Sequence, residues 1–201
     1  GQWSVRRDTL EKLEAIVNEP SETGIRTIMA AFWQSWSDLS KDPENLDARK
    51  VVRENALALT GTLNETYKKL VDLNNDLTEN IQVMSNQMNA IISTINNLNA
   101  EIYRIEGFGN HANDLRDQRD LLVDELSKLV NVDVTETPQG YMINMGGVAL
   151  TGPGAGPVTV ASLEAAFASG NLTGGEVYGK ILSRDRYVKS YMDELNLIAS
   201  T

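Results

Sequence analysis

The sequence predicts a mainly α protein: an elongated helical bundle around one very long helix, with a small β-hairpin or meander. Three observations carry this. From Leu77 onward, apolar residues alternate at steps of four and three, and one register, Leu70-Leu77-Met84-Ile91-Leu98-Ile105, repeats every seven residues. Its companion, Ile81-Met88-Ile95-Ile102, completes the a/d seam of a single continuous helix. Only the stretch around 132–151 switches to period two with glycine turns, and the rest of the chain returns to helical spacing.

The elements follow in order. Residues 3–18 read as a helix with Trp3, Leu10, Leu13, Ile16 and Val17 on one side and Pro20 behind the stop. A second helix spans about 23–40. Its stripe is Ile25, Met29, Phe32, Trp36 and Leu39, broadened by Ile28 and Trp33, and its aromatics predict the heaviest packing site in the chain. The long helix is expected over about 43–106, with Asp42 as N-cap, Pro43 at the first helical position and Gly107-Phe108-Gly109 as the stop. Leu63 and Tyr67 extend its seam backwards, Asn74 interrupts it, and the residues between seam positions are mostly polar, which predicts wet outer faces. At 1.5 Å per residue, a helix of about 60 residues is roughly 90 Å long, a rod rather than a globular core.

Asn110 or Asn113 can cap a fourth helix over about 112–130, with Leu115, Leu122, Leu126 and Leu129 inward and Asp114, Arg116, Asp117, Arg119, Asp120, Asp124 and Glu125 outward. Val132 and Val134, then Tyr141 and Ile143, alternate with polar residues about a Pro138-Gln139-Gly140 turn. A second turn at Gly146-Gly147 leads to Val148 and Leu150. Residues 152–172 read as a loop or vestigial insert, with Val158–Val160 open to a strand and a short helix after it. The last helix, about 175–200, starts at a Thr173-Gly174-Gly175-Glu176 capping box. It carries Tyr178, Ile181, Val188, Met192, Leu195 and Ala199, with Asp185 interrupting the stripe. Its heptad spacing makes it the natural partner of part of the seam. The expectation is a single elongated rod domain over 1–201.

Composition narrows the function. The 201 residues are 41% hydrophobic but only 6% aromatic, so the core is aliphatic, and the formal charge is −10. An acidic chain disfavours both sequence-independent nucleic-acid binding and docking on anionic membranes. No apolar run reaches the length of a membrane span, and no signal peptide opens the chain. With no cysteine, disulfides and thiolate metal sites are excluded. Beginning on Gly1 and ending on a helical pattern that still runs at Thr201, the sequence reads as an excised fragment.

No catalytic, cofactor or metal site is expected. Gly174-Gly175-Glu176-Val177-Tyr178-Gly179-Lys180 matches a phosphate loop, but the magnesium-binding hydroxyl is replaced by Ile181, and capping explains the glycines. The acids of 114–125 alternate with Arg116 and Arg119 at helical spacing, which suits ion pairs within the helix and between subunits better than a cation site. His111, the only histidine, has no partner by spacing, and Met84 and Met88 fill the seam.

Four stretches then resemble a known family, the flagellar hook-associated proteins of the hook–filament junction, FlgK type. They are Trp36-Ser37-Asp38-Leu39-Ser40-Lys41-Asp42-Pro43 followed by Ala48-Arg49, and Asn113-Asp114-Leu115-Arg116-Asp117-Gln118-Arg119-Asp120-Leu121-Leu122 with Leu126-Ser127. The others are Pro138-Gln139-Gly140-Tyr141 with Gly146-Gly147 and Leu150, and Gly174-Gly175-Glu176 leading to Gly179-Lys180-Ile181-Leu182 and Arg184-Asp185. Together they cover most of 25–200 in family order. The family's terminal assembly segments are absent, and where many members insert a β-rich domain only about 152–172 stands.

The resemblance implies a structural component rather than an enzyme: a middle rod-domain piece of an extracellular flagellar protein, exported by the type III apparatus without a cleaved signal. Its partners would be copies of itself in a ring, the hook protein, the second junction protein, and an export chaperone through the missing C-terminal segment. A candidate subunit interface is Asp114, Arg116, Asp117, Arg119 and Asp120. The alternatives are a generic coiled-coil scaffold or signalling bundle and, from another class, a nucleotide-binding enzyme resting on the imperfect phosphate loop.

Overall fold

A computed structural model describes residues 2–18 and 24–200, without the side chains of Gln2 and of 13–18. The side chains of Leu13, Ile16 and Val17, and all of Pro20, therefore lie outside what is described. The elements are α1 (Gln2–Asn18), α2 (Gly24–Lys41), α3 (Leu46–Glu106), α4 (Asn113–Leu129), β1 (Asp133–Thr137), β2 (Gly140–Met145) and β3 (Val148–Ala149). They continue with α5 (Val160–Ser169), α6 (Gly175–Leu182), a π-helical segment (Ser183–Val188) and α7 (Lys189–Ser200). The protein is mainly α, with a 61-residue helix and one small antiparallel sheet in the order β1-β2-β3.

By its packing the chain falls into two compact units. One comprises Gly1–Arg6 and Asp76–Arg184, the other Arg7–Asn75 and Asp185–Thr201. In the first, the seam builds the core. Ile81, Met88, Ile91 and Ile95 of α3 pack with Leu126 and Leu129 of α4, Ile143 and Met145 of β2, Leu163 of α5, and Val177 and Ile181 of α6. Met84 packs against this core half-buried, and Leu77 is also buried. Leu98 and Ile102 form a smaller cluster with Ala112, flanked by Ile105 and Leu115. In the second unit Leu70 and Leu73 of α3 are buried, as are Ile25, Val52, Val188 and Leu195.

The start of α3 is not where the cap residues of the sequence put it. Asn45, not Asp42, is the N-cap: its Oδ1 accepts the N–H groups of Asp47 and Ala48 at 3.0 and 3.1 Å, and the helix starts at Leu46. Asp42 and Pro43 lie in the turn before it, where the Asp42 N–H donates to Leu39 O. At the other end the helix stops at Glu106, ahead of Gly107-Phe108-Gly109, and of these Gly109 takes the left-handed conformation, with φ +85°. The fourth helix starts at Asn113 behind Ala112, with no side-chain cap, so neither Asn110 nor Asn113 caps it.

Burial also corrects three apolar faces. Trp33 and Trp36 of α2 are more than half exposed, whereas Ile25 of the expected stripe is buried, Ile28, Met29, Phe32 and Leu39 are half-buried, and Ser35 joins them inside. Trp3 and Leu10 of α1 are exposed, while Val5 and Thr9 turn inward. Along β1, Asp133 to Glu136 are all exposed, so Val134 does not reach the core.

Residues 152–172 are more than a loop. Thr159 and Ser162 form a reciprocal capping box at the start of α5, which ends on Gly170 at φ +82°. The helix expected over about 175–200 is not continuous α either. A π-helical segment, Ser183–Val188, follows α6, and across the junction Ile181, Leu182, Ser183 and Arg184 are all buried, so the helix is enclosed on more than one side there. Arg184 is anchored there by Thr78 and Glu164, each at 3.1 Å.

The glycines at the start of α6 have a packing reason. Thr173 does not cap the helix: its N–H donates to Asn131 Oδ1 at 2.8 Å, and Gly174 is the N-cap without a side-chain bond. Gly175 sits at φ +89°, where a Cβ would run into the Leu129 carbonyl and the Val130 nitrogen. Backbone cannot swing aside, so Gly175→Ala is expected to cost about 2–4 kcal/mol, combining a left-handed alanine with a clash. Gly61→Ala, at an open position inside α3, should instead stabilise by up to about 1 kcal/mol. Thermal melts of the two variants check both signs.

Candidate interaction site

The helices and sheet of the first unit are tied together by side-chain amides on α3. Asn99 Nδ2 donates to the Tyr141 carbonyl and Asn99 Oδ1 accepts the Tyr141 N–H, both at 3.1 Å. Asn89 does the same to Val158, with distances of 2.7 and 2.8 Å. An asparagine carries one donor and one acceptor edge, so it can bond a residue of extended backbone as a neighbouring strand would. The two clamps, ten residues apart on α3, are about 15 Å apart along it. One holds the start of β2 and the other the chain entering α5. Gly140 is part of the fit, since a Cβ there would lie 2.5 Å from the Asn99 side chain. Both asparagines stand among residues that the sequence reads as a wet face. The available signal is their position: each directly follows a buried seam residue, Met88 or Leu98.

The five residues expected at a subunit interface divide into four environments. Arg119 is not at the surface: it is 1% exposed. Its guanidinium lies 3.6 Å from the centre of the Tyr141 ring, and Nη1 donates to Asn99 Oδ1 at 2.9 Å. Nε and Nη2 find no hydrogen-bond partner among the described residues. The reason is positional, because Arg119 falls on the same helical face as Leu115, Leu122 and Leu126, so α4 carries it into the interior.

Arg116 is half-buried and also committed within its own chain. It forks onto Glu106, Nε to Oε1 and Nη2 to Oε2, each at 2.6 Å, and Nη1 reaches Glu136 at 3.1 Å. Asp120 accepts the Tyr141 hydroxyl at 2.7 Å, a bond that raises the tyrosine pKa. Only Asp114 and Asp117 are simply exposed. With both arginines engaged, the solvent face of α4 is Asp114, Asp117, Leu121, Asp124 and Glu125, closed by Lys128. The predicted alternation of sign is therefore absent from this surface.

The fork lowers the Glu106 pKa from 4.5 to about 2, chiefly through the Arg116 hydrogen bonds. A depressed carboxylate stabilises the fold above its unfolded pKa and loses that contribution as pH falls through its folded one. The connection from α3 to α4 should therefore weaken between about pH 4.5 and 2. Amide protection at 107–112, taken relative to the intrinsic exchange rate at each pH, should fall across that window in the parent. In Glu106→Gln the protection should already be low and change much less over the same window.

Among the described residues, no three His, Asp or Glu side chains are grouped to hold a metal, and no helix is long and apolar enough to cross a membrane. The phosphate-loop-like glycines open α6 with no strand leading into them, and Gly175 is occupied with backbone packing.

Fold and surface together define a helical-bundle protein: polar side chains fasten its elements to one another, and α4 turns a charged face with an exposed leucine outward. The chain belongs to the family described as the flagellar hook-associated protein FlgK helical domain, which matches residues 10–201. It is 30% identical over 140 residues to flagellar hook-associated protein 1 of Bacillus subtilis (strain 168), covering 70% of this chain and 28% of that protein. To the Salmonella typhimurium protein of the same name it is 32% identical over 147 residues, covering 71% of this chain and 26% of that protein. The chain thus spans under a third of these relatives' length. The flagellar hook junction protein FlgK from Burkholderia pseudomallei has the same fold, with a TM-score of 0.80 at 21% identity over 96% of this chain and 39% of that one.

Proposed function

We propose that this chain is the helical packing part of a flagellar hook-associated protein and serves the junction between hook and filament in a structural, non-catalytic role. The observation that carries this is the family match over residues 10–201. The Bacillus and Salmonella relatives are hook-associated proteins by name and the Burkholderia protein is a hook junction protein, which supports the same place in the flagellum. The protein acts outside the cell after type III export without a cleaved signal. It packs against copies of itself in a ring, against the hook protein below and against the second junction protein above, with an export chaperone engaging a C-terminal segment. The internal fastening fits that role: amide clamps and a forked ion pair hold each subunit's own geometry, leaving the outer faces for neighbours.

The test is genetic and visual. In-frame removal of the codons for residues 10–201 from the host's gene should leave cells with hooks, no filaments and flagellin shed into the medium. Antibody to this segment should label the hook tip of parental cells by electron microscopy. Filaments of normal number on the deletion strain, with no label at the hook tip, would reject the proposal.

A further inference from the structure

Two outward stripes of this chain match in length and oppose in charge, and we infer that they bind one another between two copies. The first is on α4. Arg119 is buried and Arg116 is engaged with Glu106 and Glu136, which leaves Asp114, Asp117, Asp124 and Glu125 outside, around a Leu121 that is 61% exposed. The second is on the first turns of α3. Leu46 and Leu57, 75% and 64% exposed, bracket Arg49, Lys50 and Arg53, all exposed and within one face at helical spacing. Each stripe covers eleven residue steps, 114 to 125 and 46 to 57, or about 16 Å of helix.

The occupant is a second copy because one chain supplies both halves of a complementary pair. Acids surround a leucine on one stripe, and leucines surround cations on the other. The existing contacts of the cations are light. Lys50 meets Glu54 at 3.9 Å with both side chains well exposed, and Arg49 donates Nε to the Pro43 carbonyl. Exposed pairs of this kind exchange at little cost. Complementary charges then set register and reject misaligned neighbours, while the leucines supply apolar area that excludes water. The contact is heterologous: an acidic stripe takes the basic stripe of the next copy, so it repeats from copy to copy and closes into a ring or runs on as a filament. This inference rests on the junction role proposed above and names the faces that would meet there.

Because the chain has no cysteine, engineered thiols report the contact cleanly. Copies carrying Leu121→Cys are mixed with copies carrying Leu57→Cys and oxidised at low ionic strength. The mixed disulfide should form several-fold faster than either like-with-like dimer, and faster than with an Asn97→Cys control. It should slow as salt is raised toward 1 M, where the Debye length falls to about 3 Å. Asp117→Lys with Asp124→Lys on the first copy should abolish the preference, and Arg49→Glu with Arg53→Glu on the second should restore it. Circular dichroism checks that each variant is folded. A mixed disulfide no faster than the control, or indifferent to charge reversal, overturns the inference. If cells place the full-length protein at the hook tip but the cross-link does not form there, the junction role stands and this pairing of faces is wrong. If the cross-link forms while removal of residues 10–201 leaves filaments intact, the pairing stands and the junction role fails.

Discussion

Arg119→Glu is expected to lower stability by about 3–5 kcal/mol, the cost of leaving an unpaired charge in a protein interior. The new carboxylate would stand against the Asn99 Oδ1 that now accepts from Arg119 Nη1, and against the electron-rich face of Tyr141 that now receives the guanidinium. Its sequence neighbour Asp120 adds negative charge on the other side of the same tyrosine, through the tyrosine hydroxyl. Arg119→Met is the informative partner. It keeps the long apolar stem and removes a cation whose Nε and Nη2 are unsatisfied among the described residues. Asn99 Oδ1 retains the Tyr141 N–H as donor. Replacing a buried ion by a hydrophobic side chain of similar length is often neutral, so this variant should melt within about 1 kcal/mol of the parent. Thermal denaturation of the two variants is the measurement. A glutamate variant as stable as the parent would place Arg119 outside the core, and a methionine variant as unstable as the glutamate would make the charge itself the stabilising feature.

Ile95→Asp should be at least as damaging. Ile95 is fully buried in the cluster that joins α3 to α4, the sheet, α5 and α6. Losing that side chain alone costs about 2–5 kcal/mol. An ionised carboxylate at the same position adds desolvation with no cation to offset it. Asn97→Asp, two residues along on an exposed part of the same helix, should change the melting temperature by no more than a degree or two. Helical signal at 222 nm and the melting midpoint distinguish the pair. Equal losses in both variants would mean that α3 is rotated about its axis and buries a different face.

These expectations separate what the chain declares locally from what it does not. The seam positions are buried or half-buried throughout α3 because a repeat of three and four puts them on one helical face whatever lies opposite. The turns at 138–139 and 146–147 sit where proline and glycine favour them, joining β1 to β2 and β2 to β3. Helix ends were less legible, since several residues near each end could cap. Asn45 was chosen over Asp42 by turn geometry that composition does not encode.

The proposed interface residues were the least legible. Five charged residues between Asp114 and Asp120 of α4 look alike in sequence, yet one is buried, one forks onto a glutamate, one accepts a tyrosine hydroxyl and two face solvent. Their fates depend on Asn99, Glu106, Glu136 and Tyr141, which lie between 10 and 21 positions away in the chain. The same is true of Asn89, whose partner Val158 is 69 residues distant.

The sequence by itself determined the helical class, the presence of one very long helix, the small sheet and the family, because each rests on periodicity or on motifs read from near neighbours. Only the tertiary structure decided which polar residues work inside the protein and which face solvent. A hydrogen bond or ion pair is a contact in space between residues that the chain need not place side by side, and periodicity carries no record of it.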